Sequence, residues 1–275
     1  MPTFATPQPI TATVEVAGAQ VRVNATDRAD TAVTVAPLDP SSRKDVKVAE
    51  RTRVDYAAGQ LRVKTTVSGD KNGSVAITID VPAGSHLAAY LAHSDIHAAG
   101  PLGSGDLHIA SGRVALDRLD ALTANLSSGS VTVGHVAGGA QVDGGAYTLR
   151  IGEITGAARI ENAGGQVSIG HAQARVELRS ASGDLDIEQA DADVAAQTAS
   201  GAIRIGRLTR GQAELTNASG NIEVGIPTGA TAYIAAKSDR GAVSDYVSDQ
   251  PGGGDEVTVH ARTRHGDIII RPATR

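Results

Sequence analysis

The sequence predicts an all-β chain, a right-handed parallel β-solenoid (β-helix-like) with 18 residues per coil, an irregular β-rich N-terminal part and a C-terminal cap. Three observations carry this expectation. Between residues 129 and 225 a frame recurs in which Gly precedes an apolar-x-apolar pair, often followed by a second Gly: SGSVTVG, GAYTLRIG, GGQVSIG, SGDLDIE, SGAIRIG and SGNIEVG. The second apolar residues, Val133, Ile151, Ile169, Ile187, Ile205 and Val224, follow one another at 18, 18, 18, 18 and 19 residues. A second alternating pair keeps the same register at Ala140/Val142, Ala158/Ile160, Val176/Leu178, Val194/Ala196 and Ala213/Leu215.

Alternation turns one face of each strand inward and the other to solvent. One unit cannot bury its apolar residues alone, so consecutive units must stack, with right-handed coiling as the default connection. A smaller apolar residue recurs between the strands at Val136, Ile154, Ala172, Ala190 and Leu208. The glycine before the first pair (Gly129, Gly165, Gly183, Gly201, Gly220) marks a corner that needs positive φ or close backbone approach. Tyr147 interrupts that column.

Three segments follow from the chain order. Residues 1–90 are β-rich and continuous with the solenoid: TATVEVAGAQVRVNA reads as a hairpin, and TAVTVA, QLRVKT and SVAITIDVP as strands. Pro40-Ser41-Ser42 before RKDVKVAER caps a short helix that covers the first coil. Residues 91–226 form the regular repeat, entered through Ile96/Ala98 and Val114/Leu116. Residues 227–275 supply C-terminal coils and a cap, with a loop excursion at 248–255 and last echoes of the frame near Val243 and Ile268. The whole reads as one structural domain, its end coils atypical because an exposed coil end is an unpaired sheet edge.

Composition removes several functions. Cysteine is absent, which excludes disulfides, thiolate metal sites and cysteine nucleophiles. With 25 Lys+Arg against 30 Asp+Glu the net charge is -5 with mixed signs, so no basic field invites nucleic acid or anionic lipid. Aromatic residues make up 2% of the chain, too few for stacking platforms along a strand of bases. The opening MPTFATPQPITATVEV has neither a charged n-region nor a continuous apolar core, and no apolar run is long enough to span a bilayer. A cytoplasmic protein is expected, reaching the envelope only through a partner.

Other solenoids share the period. Hexapeptide helices fail, since steps of six from Ile169 reach Arg175 and Ala181; calcium-binding nonapeptides fail, since steps of nine from Gly165, Gly183 and Gly201 reach Ala174, Ala192 and Arg210. On the outward face Arg150, Ser168, Asp186, Arg204 and Glu223 succeed one another by coil, a charge-balanced row without the isolated carboxylate pair that glycoside chemistry needs. His135, Glu153, His171, Gln189 and Arg207 share another outward edge, and the ladder His135, Glu153, His171 is the one candidate for a divalent metal. A polar bend row is the plainer account of it. Ser182, Ser200 and Ser219 form a corner ladder explained by turn hydrogen bonding, with no histidine in their local frame. No phosphate loop, dinucleotide fingerprint, nucleophile elbow or HExxH occurs, so no catalytic residue is assigned.

The repeated SG-[DN]-[LI]-x-[IV] frame, the upstream ITIDVPAGSHLAAYLAHSDIHAAG and the terminal RTRHGDIIIRP resemble the bacterial β-strand-repeat proteins of the DUF4097 family, the "putative adhesin" or toastrack domains. The resemblance covers nearly the whole chain, and the opening looks like actinobacterial members without a signal peptide. It implies a structural or interaction module, linked in some members to cell-envelope stress or adhesion-type systems, and carries no catalytic motif. The expectation is a non-enzymatic scaffold without cofactor, partnered by protein or by self-association, with no nucleic acid, no direct membrane insertion and no assigned small-molecule ligand. A glycan-binding or glycan-cleaving β-helix and a self-assembling bactofilin-like scaffold are the alternatives.

Overall fold

The computed structural model describes residues 2–65, 73–247 and 253–273, and the chain divides into two compact units, Met1–Ala137 and Gly138–Arg275. Both are built of stacked β-coils.

The first unit contains β1 (Thr3–Ala5), β2 (Thr11–Ala17), β3 (Ala19–Thr26), β4 (Asp30–Pro37), α1 (Arg43–Arg51), β5 (Arg53–Ala57), β6 (Gln60–Lys64), β7 (Val75–Pro82), β8 (His86–Ala92), β9 (Ser94–Ile109) and β10 (Gly112–Val136). The expected hairpin at residues 11–26 does not form. Instead β2 lies parallel between β6 and β8, and β3 parallel between β7 and β9. A single residue, Gly18 at φ 69°, joins the two strands. One residue is too short for a hairpin loop but makes a coil corner. Val14 and Val23 are thereby sealed from solvent on both sides.

The chain's first coil, β2–β3, is therefore second in the stack, and the later coil β6–β7 takes the edge. That edge is closed antiparallel: β5 returns on β6, β4 returns on β7, and β1 adds to β4. The helix forms where the sequence placed it, with the Ser42 hydroxyl accepting from the Asp45 N–H at 3.3 Å. The Asp45 carboxylate accepts in turn from the N–H groups of Ser74 and Asp39, both at 3.0 Å, tying α1 to the start of β7. Leu87 faces Gly105 and Ile96 faces Val114 at 18 residues, and past a register shift between Leu116 and Arg118 the spacing is 17, with Leu102 facing Leu119. The regular register therefore reaches upstream of Ile96, into a strand whose pattern alone had not revealed it.

The second unit contains β11 (Ala140–Ile154), β12 (Ala158–Gly164), β13 (Val167–Ala172), β14 (Val176–Ser182), β15 (Leu185–Ala190), β16 (Val194–Ser200), β17 (Ile203–Leu208), β18 (Gly211–Ser219), β19 (Ile222–Ile226), β20 (Thr231–Arg240), β21 (Val243–Asp245), β22 (Glu256–His265) and β23 (Ile268–Pro272). One sheet stacks β11, β12, β14, β16 and β18 in parallel; the other stacks β11, β13, β15, β17 and β19. Ile151, Ile169, Ile187, Ile205, Val224 and Ile270 make one inward column, each at most 2% exposed. Burial of such side chains contributes about 1.5–3 kcal/mol apiece. The last coil in sequence, β22–β23, inserts between β18–β19 and β20–β21. The loop expected at 248–255 lies mostly outside the described residues.

The corner glycines are required by backbone approach as well as by φ. At Gly201 (φ 137°) a Cβ would stand 2.2 Å from the carbonyl oxygen of Gly183, one rung below. Tyr147 occupies the corner below Gly165 without a positive φ, its side chain turned inward and 2% exposed.

Candidate functional site

The outward rows predicted from spacing are real columns, and their chemistry follows from the rung-to-rung register. Glu153, His171, Gln189 and Arg207 stand directly above one another in the second unit. His135 belongs to the first unit. Around His171 the side chains form a hydrogen-bonded network: His171 Nε2 meets Asp191 Oδ2 at 2.6 Å, and His171 Nδ1 lies 3.8 Å from Glu153 Oε1. Asp191 also accepts from Gln189 Nε2 at 2.9 Å and Thr209 Oγ1 at 2.7 Å. Burial disfavours the Asp191 anion, but the hydrogen bonds from Gln189, His171 and Thr209 outweigh it and hold the carboxyl below its ordinary value. Glu153 accepts from Gln173 Nε2 at 2.6 Å. Asp191 takes one nitrogen of the imidazole, and the other faces Glu153. Among the described residues no group of three His, Cys, Asp or Glu side chains is arranged to hold a metal ion.

The row Arg150, Ser168, Asp186, Arg204, Glu223 is also in register, and it closes on Ile269 of β23. Arg204 reaches Asp186 and Glu223 at 3.9 Å each, and Arg271 also binds Glu223. Burial raises the Asp186 pKa against the pull of Arg204, helped by Glu188, Glu223 and Asp184. These groups lie on an open, flat sheet, where solvent and the neighbouring guanidinium screen them.

The serine ladder brings a correction. Ser182, Ser200 and Ser219 stack as expected, but the next rung is His265, because β22 inserts beside β18. No hydrogen bond joins Ser219 Oγ to that imidazole among the described residues.

One ladder escaped the sequence reasoning altogether. Three residues before each corner glycine stand Asn162, Ser180, Thr198, Asn217 and Thr263, in register on the inward face. All but Ser180, whose buried hydroxyl has no hydrogen-bond partner among the described residues, serve the corner: Asn217 Nδ2 donates to the carbonyls of Gly201 at 3.1 Å and Gly220 at 2.9 Å, and Asn162 Nδ2 donates to Gly164 O at 2.9 Å. Thr198 Oγ1 donates to Ser200 O at 3.1 Å, and the Tyr147 hydroxyl to Glu161 O at 3.0 Å. Burial pushes the Tyr147 phenol up, with Asp143 and Glu161 adding to it. The repeated polar-x-x-Gly spacing was the signal available in the sequence.

On the outside of this sheet runs an open groove of about 450 Å³, floored by small residues such as Ala181 and Ala199 and flanked by Glu161, Arg179, Gln197 and Thr216. In the first unit a groove of about 610 Å³ is lined by Gln20, Arg22, Asp95, His97 and Arg113. There too the exposed ring of Tyr90 stacks on His108 at 4.8 Å.

Stacked parallel coils, a glycine corner and charge-balanced outer rows fit one known family, and residues 11–271 match it, Toastrack DUF4097. The chain belongs to this family. Among solved structures, the Toastrack chain is similar to a "putative adhesin" from Parabacteroides distasonis ATCC 8503, with 12% identity, 98% of this chain and 95% of that chain covered, and a TM-score of 0.50. It is also similar to one from Parabacteroides merdae ATCC 43184, with 12% identity, coverage of 99% and 95%, and a TM-score of 0.45. At such identity the first likeness speaks for the fold alone. No protein of curated function matches the chain. Among the described residues no helix of this Toastrack chain is long and apolar enough to cross a membrane.

Proposed function

We propose that the chain is a non-catalytic scaffold whose flat outer face docks another protein. The observation that carries this is the groove over β12, β14, β16 and β18. There a strip of exposed alanines runs beside a row of Glu161, Arg179, Gln197 and Thr216, in rungs one coil apart. A regular face of small and mixed-charge side chains suits a complementary protein surface better than a small molecule, which needs a concave site that encloses most of it. The similar "putative adhesin" from Parabacteroides distasonis is in line with an adhesive or scaffolding role. A cell-envelope system is the setting in which we place the partner.

The test is capture from the native host with tagged wild type and with Ala181→Arg/Ala199→Arg, both exposed positions. A protein bound by wild type and lost from the variant supports the proposal. Identical captures from both would overturn it. The glycan-binding alternative rests on the exposed Tyr90–His108 stack, and a glycan array that is flat for wild type disposes of it.

A further inference from the structure

Among the described residues the second unit ends on an unfilled sheet edge. β20 pairs with β22 on one side, and among the described residues no strand lies against its other side. Thr231 N–H donates to Asp255 O at 3.0 Å, which fixes which backbone groups face β22. Successive peptide groups of a strand point to opposite edges, so the N–H and C=O of Ala232, Ile234, Ala236 and Ser238 face away from β22. A row of unpaired donors and acceptors on a 10-residue strand is a template for another strand.

The side chains show the same incompleteness. Ile234 and Ala236 are only half-buried, whereas Val259 and Ala261, their register partners one rung inward, are 0% and 3% exposed. Tyr233, Val243 and Tyr246 are 56%, 45% and 62% exposed on this same coil, and they account for most of the large apolar surface that the described residues present. The edge of the first unit, by contrast, is closed by β1, β4 and β5.

We propose that this edge pairs antiparallel with β20 of a second copy, about a two-fold axis at Ala235. The pattern of the strand is self-complementary in that register. On the inner side Ile234 meets Ala236 of the second copy and Ala232 meets Ser238, extending the apolar interior of one copy into the other. On the outer side Tyr233 faces Lys237 of the second copy, an arrangement that lets the ammonium and its aliphatic stem lie over the ring. Thr231 faces Asp239, and Ala235 faces itself, small enough for close approach. A register centred on Lys237 would set two ammonium groups against each other, and like charges directly opposite are disfavoured. The contact is isologous and closed, so it stops at two copies.

The dimer deepens the scaffold proposal, since it doubles the docking faces, but it uses none of the residues of the alanine groove. Its failure is therefore distinguishable from failure of the docking face. Sedimentation of the full chain is expected to show concentration-dependent doubling of mass. The chain has no native cysteine, so Ala235→Cys under mild oxidation should yield a single covalent dimer, while Ala181→Cys on the groove face stays monomeric. Ala236→Pro removes one free-edge N–H and leaves the ladder to β22 intact; it should abolish the dimer while far-UV circular dichroism stays that of the wild type. A monomer at every concentration would overturn the proposal. So would longer oligomers, a dimer indifferent to Ala236→Pro, or failure of Ala235→Cys to cross-link.

Discussion

Ala213 stands in register against Val259, with the whole of β20 and β21 passing outside the pair. The chain leaves its stack after β19, lays down what becomes the outermost coil, and returns to slot β22–β23 beneath it. The first unit does the same in reverse, its opening coil β2–β3 enclosed by β6–β7 and β8–β9.

Among the described residues the inserted coil is the one ladder that β20 and β21 have. Ending the chain after Asp255, so that β22 and β23 are lost, should strip residues 231–245 of amide protection in hydrogen exchange while β13 and β15 keep theirs. Unchanged protection of β20 would contradict the insertion.

Gly201→Ala places a Cβ 2.2 Å from Gly183 O at a backbone φ of 137°. The φ alone costs about 1–3 kcal/mol, and the collision adds to it because a backbone oxygen in a stacked column cannot step aside. A clear fall in melting temperature is expected. Calorimetry showing no fall would mean that the corner is looser than its geometry.

Asn217 is 3% exposed and bonded to two corner carbonyls, whereas Thr216 points outward. Asn217→Ala should cost about 1–3 kcal/mol, and Thr216→Ala no more than about 0.5 kcal/mol. Chemical denaturation measures both; equal effects would contradict the inward placement of the ladder.

The Asp45 carboxyl is held below its ordinary 3.8, chiefly by the Ser74 N–H and further by Asp39 N–H and the Ser42 hydroxyl, against the opposing effect of burial. A depressed folded pKa means that the native state binds fewer protons than the unfolded chain. The stability this group contributes is thus complete above the unfolded pKa and is lost as pH falls through the folded one. Melting temperatures of wild type should drop more steeply below pH 4 than those of Asp45→Asn, which starts lower at neutral pH. Parallel curves would sink this assignment.

The legible part of the fold was the part where local period and stacking order coincide. From Leu149 to Val224 the 18-residue frame placed inward residues, corner glycines and outward rows where the structure has them, because each rung meets its neighbours in sequence. Chain order misled where coils are inserted. Gly18 suggested a hairpin between β2 and β3, and nothing local says that their partners are β6 to β9. His265 joined the serine column for the same reason. Asn162, Thr198 and Asn217 were overlooked because nothing local in the sequence shows that the corner carbonyls supply a polar side chain with partners inside. Glu153 and His171 are adjacent as the spacing predicts, yet spacing could not show that Asp191 also binds that imidazole.

The central claim is that alternate residues of each repeat face a buried interior, and it can be tested at one pair of neighbours. Ile169 is 0% exposed, and Ser168 beside it is outward in the charged row. Thermal and urea unfolding of Ile169→Asp and Ser168→Asp decide the matter. The stacked-coil account predicts a loss of about 3–5 kcal/mol for the buried, unpaired carboxylate at 169 and near-wild-type stability at 168. An Ile169→Asp protein that melts with the wild type would contradict it.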